Sequence, residues 1–277
     1  MIESIYIFRD PRRERRPVSG IPASANSSSV TERGTYLTKL WRSFSQPSVL
    51  MLLLAAMARH TAGYAWAYNT RLYFQSYHPH FNLGYWILTA SCVGGSFGVV
   101  AGGFFSDRLV ARLGLPSRLW LLSGCTILAT PLAALTLFLD PPGSMFTLIA
   151  YYLFAETWFA VLFTVIVEIV DPEVRATCIA LFLFCMNLVG GNLPIIITPI
   201  TYYLDNFRLA LALVWPGCLA LSSLLFLLSS VPLHSLEKRR RLQLDAHDGV
   251  LDEDREDTPG EAANTSTHPL LEEDKQK

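Results

Sequence analysis

The sequence predicts an all-α integral membrane protein whose central part is a bundle of six transmembrane helices. Three observations predict this fold class. Hydrophobic residues make up 51% of the 277 residues, and charged residues make up only 16%, whereas soluble domains average about a quarter. The charges also concentrate in residues 1–46 and 234–277, so the stretch between these segments is almost continuously apolar.

Six windows between the charged segments are long enough to cross a bilayer, since a membrane-spanning helix needs about 20 apolar residues. These windows are residues 48–70, 83–105, 117–139, 145–169, 177–203 and 209–232. Short polar breaks that contain turn-forming residues separate them. We therefore expect a six-helix transmembrane bundle over residues 47–233, whose helices are called the first to the sixth span below.

The two flanking segments are expected to differ in structure. Residues 1–46 are basic and Ser-rich, and their end is periodic: Leu37, Leu40, Trp41 and Phe44 recur at helical spacing. This spacing predicts a short interfacial helix on the cytoplasmic face, and an ordinary juxtamembrane linker is the alternative. Residues 234–277 become acidic after a basic start, and their composition predicts a disordered cytoplasmic tail.

Basic residues predict the orientation, because Lys and Arg accumulate in cytoplasmic loops. Nearly all of them lie in the two flanking segments and in the second and fourth loops, where Arg108, Arg112 and Arg175 are found. Both termini are therefore expected in the cytoplasm, which agrees with an even number of spans. The basic clusters are short and adjoin apolar segments, so nucleic acid is not an expected partner.

Three ionisable residues lie deep within the predicted spans, where charge is costly and usually marks a pathway or a partner. Arg59 and His60 lie near the middle of the first span, and Glu156 lies near the middle of the fourth. Because these spans run in opposite directions, Arg59 and Glu156 are expected at similar depth. They would form an ion pair or line a polar cavity, and a purely structural pair between two helices is the alternative.

Other polar and aromatic residues extend this candidate pathway. Tyr64 lies one turn beyond His60, and Trp158 follows Glu156 closely. In the fifth span, Asn187 and Asn192 surround a Gly-Gly pair that is followed by prolines, which indicates a broken helix of the kind that transporters use at substrate sites. The third and sixth spans hold no ionisable residue, Asn or Gln from 119 to 137 and from 209 to 228, so these two helices can face lipid.

A row of glycines in the second span predicts close helix packing. Gly94, Gly98 and Gly102 recur every four residues, which lets another backbone approach this face. The same stretch matches the GxSxG pattern of serine hydrolases at Ser96, but it lies within an apolar helix and follows no strand. The five cysteines lie in apolar stretches without metal-binding spacing. The sequence thus predicts no enzyme, no cofactor and no metal site.

The segment from Gly103 to Arg112, at the cytoplasmic end of the second span, resembles the signature of the major facilitator superfamily. Gly103, Asp107, Arg108 and Arg112 match, whereas Val110 and Ala111 depart from the pattern, as in the degenerate copy between helices 8 and 9. The resemblance implies that the spans are helices 7–12 of that fold, its C-terminal half. The four matching residues would form a latch that holds one packing state.

Two further stretches resemble the spinster branch of that superfamily: Ala155-Glu156-Thr157, and the loop from Asp171 to Thr177. This resemblance implies a secondary transporter that works by alternating access on an organic solute or an amphiphilic lipid such as a lysolipid. The host would be the plasma membrane or a lysosomal or endosomal membrane. The chain is expected to need an N-terminal six-helix half, from upstream sequence or another chain. The alternative is a truncated, non-transporting membrane protein that acts as a regulator or an assembly partner.

Overall fold

A computed structural model of the chain describes residues 25–256, and every regular element in this range is helical. The helices, in chain order, are α1, Ala25–Phe44; α2, Pro47–Tyr77; α3, Leu83–Thr89; α4, Ser96–Leu113; α5, Ser117–Phe138; α6, Gly143–Ala155; α7, Trp158–Ile169; α8, Arg175–Gly190; α9, Ile197–Leu204; and α10, Phe207–Glu256.

Three predicted spans consist of more than one helical segment. A π-helical stretch, Ala90–Gly95, joins α3 to α4 in the second span. A turn at Glu156 and Thr157 separates α6 from α7 in the fourth. In the fifth, a turn and the 3-10 helix Leu193–Ile196 separate α8 from α9. The second and fourth spans contain no proline at these points, so only the break in the fifth follows from its Gly and Pro residues.

Five helical stretches within the described residues are long and apolar enough to cross a membrane. They are Leu83–Leu113, Ser117–Phe138, Gly143–Ile169, Arg175–Leu204 and Phe207–Lys238. Helix α2, which corresponds to the first predicted span, has 31 residues but does not belong to this group. Its length is sufficient, but polar side chains such as Arg59, His60 and Asn69 lower its hydropathy.

The ends of several elements follow from local chemistry. Proline at the first position of α2 is favourable because its fixed φ fits a helix and its missing N–H would have no partner there. Gly114 ends α4 with a φ of 83°, a conformation that glycine adopts without strain. Asp205 ends α9 in the left-handed region, with a φ of 48°.

The last helix extends beyond the predicted end of the bundle at residue 233. Helix α10 continues to Glu256, so residues 234–256 differ from the disordered tail that composition suggests. This stretch is rich in Leu, Arg and Glu, which have high helix propensity, and no glycine interrupts it before Gly249. The remainder of the predicted tail lies outside the described residues, as does the basic segment before residue 25.

The core consists of two apolar clusters at opposite ends of the bundle. The first joins the beginning of α2 to α7, α8 and the later part of α10, around Leu52, Val165 and Phe226. The second joins the later part of α2 to α6 and the beginning of α10, around Trp66 and Trp215. Arg59 belongs to neither cluster, because it lies on α2 between the two.

Candidate functional site

The turn between α6 and α7 creates the polar centre of the bundle. The hydroxyl of Thr157 donates a hydrogen bond to the carbonyl of Phe154, and such local bonds compete with the helical pattern. The backbone N–H of Glu156 still bonds to the carbonyl of Tyr152, so the turn remains compact. As a consequence, the carbonyl of Ala155 is available to a side chain from another helix.

Arg59 is that side chain. It is only 2% exposed, and its Nη2 donates a hydrogen bond to the carbonyl oxygen of Ala155 at 2.6 Å. Its guanidinium also lies over the indole of Trp158, 5.1 Å from the ring centre, which is a cation–π arrangement. The Nε atom is buried and has no hydrogen-bond partner among the described residues. A buried cation with an unused donor is a candidate for binding a ligand.

No ion pair joins Arg59 to Glu156 within the described part of the chain. Of the two arrangements that the sequence leaves open, the structure has the polar cavity, because both side chains line the same space. Arg59 and Glu156 thus lie at one site, as their similar depth in two antiparallel spans predicts. The hydrogen-bond partner of Arg59 is nevertheless a backbone carbonyl, which becomes available only through the break at Glu156.

The cavity has a volume of about 280 Å³ and lies between α2, α6 and α7. Its lining combines two charged residues with one histidine and an unusually aromatic wall. The lining residues are Arg59, His60, Gly63, Tyr64, Trp66, Ala67, Tyr151, Tyr152, Glu156, Trp158 and Phe159. Charged groups that are surrounded by aromatic rings suit a ligand with both a polar and an apolar part.

His60 connects this cavity to the fifth span. Its Nε2 and the Oδ1 of Asn187 are 3.0 Å apart, and its ring meets the edge of Tyr64 with centroids 4.6 Å apart. The two helices touch closely here: a Cβ atom on Gly190 would lie 2.9 Å from the Cβ of His60. Asn192 does not reach the cavity, since it is exposed and donates to the carbonyl of Leu188.

Aromatic residues that the sequence did not single out form the back of the cavity. Trp66 stacks on Trp215 of α10 with ring centroids 4.1 Å apart, and Trp215 donates a hydrogen bond to the hydroxyl of Tyr151 at 3.1 Å. Gly63 lies beside the guanidinium of Arg59, where a Cβ would be 3.5 Å from Nη1. The spacing of Arg59, Gly63 and Trp66 on one helical face is a signal that was present in the sequence.

Glu156 also borders a second cavity, of about 420 Å³, on the side of the second span. Ser91, Gly95 and Ser96 line it, together with Tyr152 and Val99. The π-helical stretch lies here, and the hydroxyl of Ser91 bonds to the carbonyls of Ile87 and Leu88. The half-buried side chain of Glu156 thus lies between two cavities, one on the side of α2 and the other on the side of the second span.

The predicted glycine row lies against the fourth span. A Cβ on Gly94 would lie 2.6 Å from the carbonyl oxygen of Ile149, and one on Gly102 would lie 2.7 Å from the Cβ of Thr157. A Cβ on Gly98 would overlap the carbonyl of Leu153. All three positions therefore require glycine, because the second and fourth spans are in direct contact along this row.

The four residues that match the superfamily signature, Gly103, Asp107, Arg108 and Arg112, differ in their contacts. Asp107 pairs with Arg118 at the start of α5, at 3.0 Å, whereas the guanidinium of Arg108 lies over the ring of Phe104. Arg112 is exposed near the end of α4. A Cβ on Gly103 would meet nothing within 4 Å. Of the four predicted latch residues, Asp107 alone has an ion pair within the described chain.

Arg118 is the centre of this cluster, and its role as the partner of Asp107 is not predicted from the sequence. It bonds to the hydroxyl of Ser106 at 2.8 Å and pairs with Glu168 at the end of α7, at 3.0 Å. The side chain of Arg118 is 8% exposed, so one buried guanidinium links the ends of the second, third and fourth spans. The signal in the sequence was an arginine in the first turn of the third span, at the end of the bundle where the second and fourth spans each carry an acidic residue.

Comparison with known proteins identifies the family to which the chain belongs. Residues 2–194 match the family model of the Major Facilitator Superfamily. The chain belongs to the major facilitator superfamily. The crystal structure of a bacterial homologue of the human lysosomal transporter Spinster, in an inward-facing and unoccupied conformation, is similar with a TM-score of 0.50 and 14% sequence identity.

That similarity shows the fold, and it covers 77% of this chain and 51% of the other. The major facilitator chain described here thus spans about half the length of the solved structure that it matches. A search of the curated proteins gives no match. Family membership and fold together identify a multi-pass membrane protein of a transporter family.

Proposed function

We propose that the chain is the C-terminal half of a secondary transporter that carries a single-chain amphiphile with a charged headgroup, such as a lysolipid. The observation that supports this most directly is the cavity at the break in the fourth span. It combines the buried cation of Arg59, the carboxylate of Glu156 and aromatic walls. A charged headgroup would bind Arg59 or Glu156, and an acyl chain would follow the aromatic side chains.

In this proposal α2 is the first of six spans, and both termini lie in the cytoplasm of a cell whose plasma, lysosomal or endosomal membrane holds the protein. A second six-helix bundle, from upstream sequence or from another chain, completes the pathway. The two bundles would rock around the cavity by alternating access. The cluster of Asp107, Arg118 and Glu168 would hold one of the two packing states until the bundles move.

A binding measurement on the full chain tests this proposal. The chain would be reconstituted in nanodiscs and titrated with radiolabelled lysophosphatidate, lysophosphatidylcholine and uncharged monoacylglycerol. Saturable binding of a charged lysolipid is expected, with at least a tenfold loss in Arg59→Gln, because hydrogen bonds to charged groups contribute about 1.5–3 kcal/mol. Arg71→Gln is the matched control, since Arg71 lies exposed on the same helix.

Two results would contradict the proposal. Equal binding of the charged lysolipids and monoacylglycerol would exclude a role for the charged cavity. An equal effect of the Arg59 and Arg71 variants would exclude the cavity as the binding site. If the intact chain binds none of the three lipids and gives no flux when it is paired with a second bundle, the regulator or assembly-partner function is favoured instead.

A further inference from the structure

Helix α1 is fixed to the bundle by its inner face. The hydroxyls of Tyr36 and Thr177 are 2.6 Å apart, and the ammonium of Lys39 lies 2.6 Å from the carboxylate of Glu173. The hydrogen bond to Glu173 raises the pKa of Lys39, so the ammonium group keeps its charge at neutral pH. Leu40 packs against the neighbouring apolar cluster of the core. The first turn of α8 and the loop that precedes it therefore hold α1 in one orientation.

The opposite face of α1 carries large apolar side chains that nothing in the described chain covers. Leu37 is 62% exposed and Trp41 is 72% exposed, and the two lie one helical turn apart. Helix α1 leads through Ser45 and Gln46 directly into α2, so these side chains are close to the end of a bundle that is embedded in lipid. Trp and Leu at such a level are typical of helices that lie in the membrane interface.

A groove of about 930 Å³ lies between α1 and the loop that follows α7. Its lining is rich in charge, with basic residues from both sides and acidic residues from the end of α7 and the loop. The charged residues that line it are Lys39, Arg42, Glu168, Asp171 and Arg175. The groove opens on the side of the bundle where α1 lies, next to the start of α2 at Pro47.

The acidic side chains of this groove already have partners. Glu168 pairs with Arg118, and Asp171 accepts a hydrogen bond from the backbone N–H of Glu173 at 3.0 Å. Arg42 and Arg175 have no side-chain hydrogen bond or ion pair to another described residue. The Nε of Arg175 is in addition buried and unpartnered. Among the described residues, the groove therefore holds two guanidinium groups and one carboxylate, that of Asp171, without an ion-pair partner, so its unpaired charge is on balance positive.

We propose that this groove binds the headgroup of an anionic phospholipid from the leaflet that faces α1, with Leu37 and Trp41 inserted among its acyl chains. Arg42 and Arg175 would donate hydrogen bonds to the phosphate, since guanidinium geometry fits phosphate oxygens. The apolar side chains would supply the contact that a soluble phosphate cannot make. This site requires a bundle embedded in lipid, and it does not depend on which solute the bundle carries.

Lipid retention by the purified full chain tests the inference. The chain would be titrated in neutral detergent with phosphatidylserine or phosphatidylcholine, and bound lipid would be counted by native mass spectrometry. Preferential retention of phosphatidylserine is expected, with a loss of about fivefold for each basic residue removed in Arg42→Gln and in Arg42→Gln/Arg175→Gln. Lys238→Gln is the control, because Lys238 is an exposed basic residue outside the groove.

The apolar part of the site has its own test. Leu37→Ser/Trp41→Ser is expected to weaken retention of phosphatidylserine, and glycerophosphoserine, which lacks acyl chains, is expected not to compete. Arg42 is exposed, so Arg42→Gln should fold normally even if the half-buried Arg175 contributes to stability. Retention without preference between the two lipids, or an equal effect of Arg42→Gln and Lys238→Gln, would overturn the inference.

Discussion

The guanidinium of Arg59 and the carbonyl oxygen of Ala155 form a hydrogen bond of 2.6 Å that joins α2 to the interruption in the fourth span. The bond requires both the buried cation and the break in the helix. Because a continuous helix would engage the Ala155 carbonyl internally, this contact couples the local structure of one span to the position of another. It is the structural basis of the candidate cavity.

Removal of Arg59 is expected to destabilise the bundle. In Arg59→Met the Ala155 carbonyl loses its partner, which costs about 1–3 kcal/mol for a buried polar group. Arg71→Met, on the exposed part of the same helix, should change stability by less than about 0.5 kcal/mol. Thermal unfolding of both variants in the same detergent checks the difference, and equal midpoints would contradict this role of Arg59.

Substitution in the glycine row should separate the second and fourth spans. Gly98→Ala places a methyl group against the carbonyl of Leu153, and overpacking of this kind costs about 1–3 kcal/mol. Gly103→Ala, on the same helix but with open space around it, should instead be neutral or stabilising by about 0.5–1 kcal/mol. The yield and thermal midpoint of the monodisperse protein distinguish the two. A milder effect at Gly98 than at Gly103 would refute close packing.

The three charged residues at the ends of the second, third and fourth spans should contribute different amounts to the stability of the protein. Arg118 is 8% exposed, Glu168 is 37% exposed and Asp107 is 75% exposed. Loss of the buried cation in Arg118→Met should cost the most, about 3 kcal/mol or more. Asp107→Asn should cost less than about 1 kcal/mol, because solvent screens an exposed pair. Glu168→Gln should lie between them, and the reverse order of thermal midpoints would contradict the arrangement.

Space beside Arg59 should limit which side chains residue 63 accepts. In Gly63→Ala the added Cβ would lie 3.5 Å from Nη1, an ordinary contact, so binding of a charged lysolipid should change little. In Gly63→Leu the larger side chain would occupy the cavity and abolish binding while the protein still folds, since Gly63 itself is half-buried and borders the open space of the cavity. Binding isotherms of both variants in nanodiscs provide the measurement. Normal affinity in Gly63→Leu would exclude this part of the cavity.

The orientation has a direct test in cells. Asn26 and Asn264 both begin glycosylation sequons, and both should remain unmodified because the termini are predicted to be cytoplasmic. An epitope tag after Lys277 should bind antibody once the plasma membrane alone is permeabilised, and permeabilisation of organelle membranes should not be required. A mobility shift that glycosidase treatment removes, at either site, would reverse the predicted topology.

The helices could be located from sequence because lipid-spanning segments need long apolar windows, and the limits of α5 differ from the predicted 117–139 by one residue. The break at Glu156 could not be found in this way, since it depends on the hydroxyl of Thr157 and on the contact with Gly102. Hydropathy places the end of the last apolar window at residue 232, but the end of an apolar window is not the end of a helix. High helix propensity continues it to Glu256.

The candidate site was partly predictable, because the depth of a residue within a span follows from its position in the sequence. Counting residues along antiparallel spans placed Arg59 and Glu156 at one depth, and the structure brings both to one cavity. The rotation of each helix about its axis depends on tertiary packing, so the inward position of Tyr151 and Tyr152 was not evident. The sequence predicts that both Asn187 and Asn192 belong to the pathway, but Asn192, which follows the turn after Gly190, is exposed and donates to the carbonyl of Leu188.

The stacked indoles of Trp66 and Trp215 give the protein an intrinsic optical reporter. The ring centres lie 4.1 Å apart with an interplanar angle of 15°, so we expect the two indoles to couple their excited states and to contribute a paired circular dichroism signal. The signal depends on both rings, so Trp215→Phe should abolish it. Because one ring belongs to α2 and the other to α10, any step that separates these helices would become visible without a label.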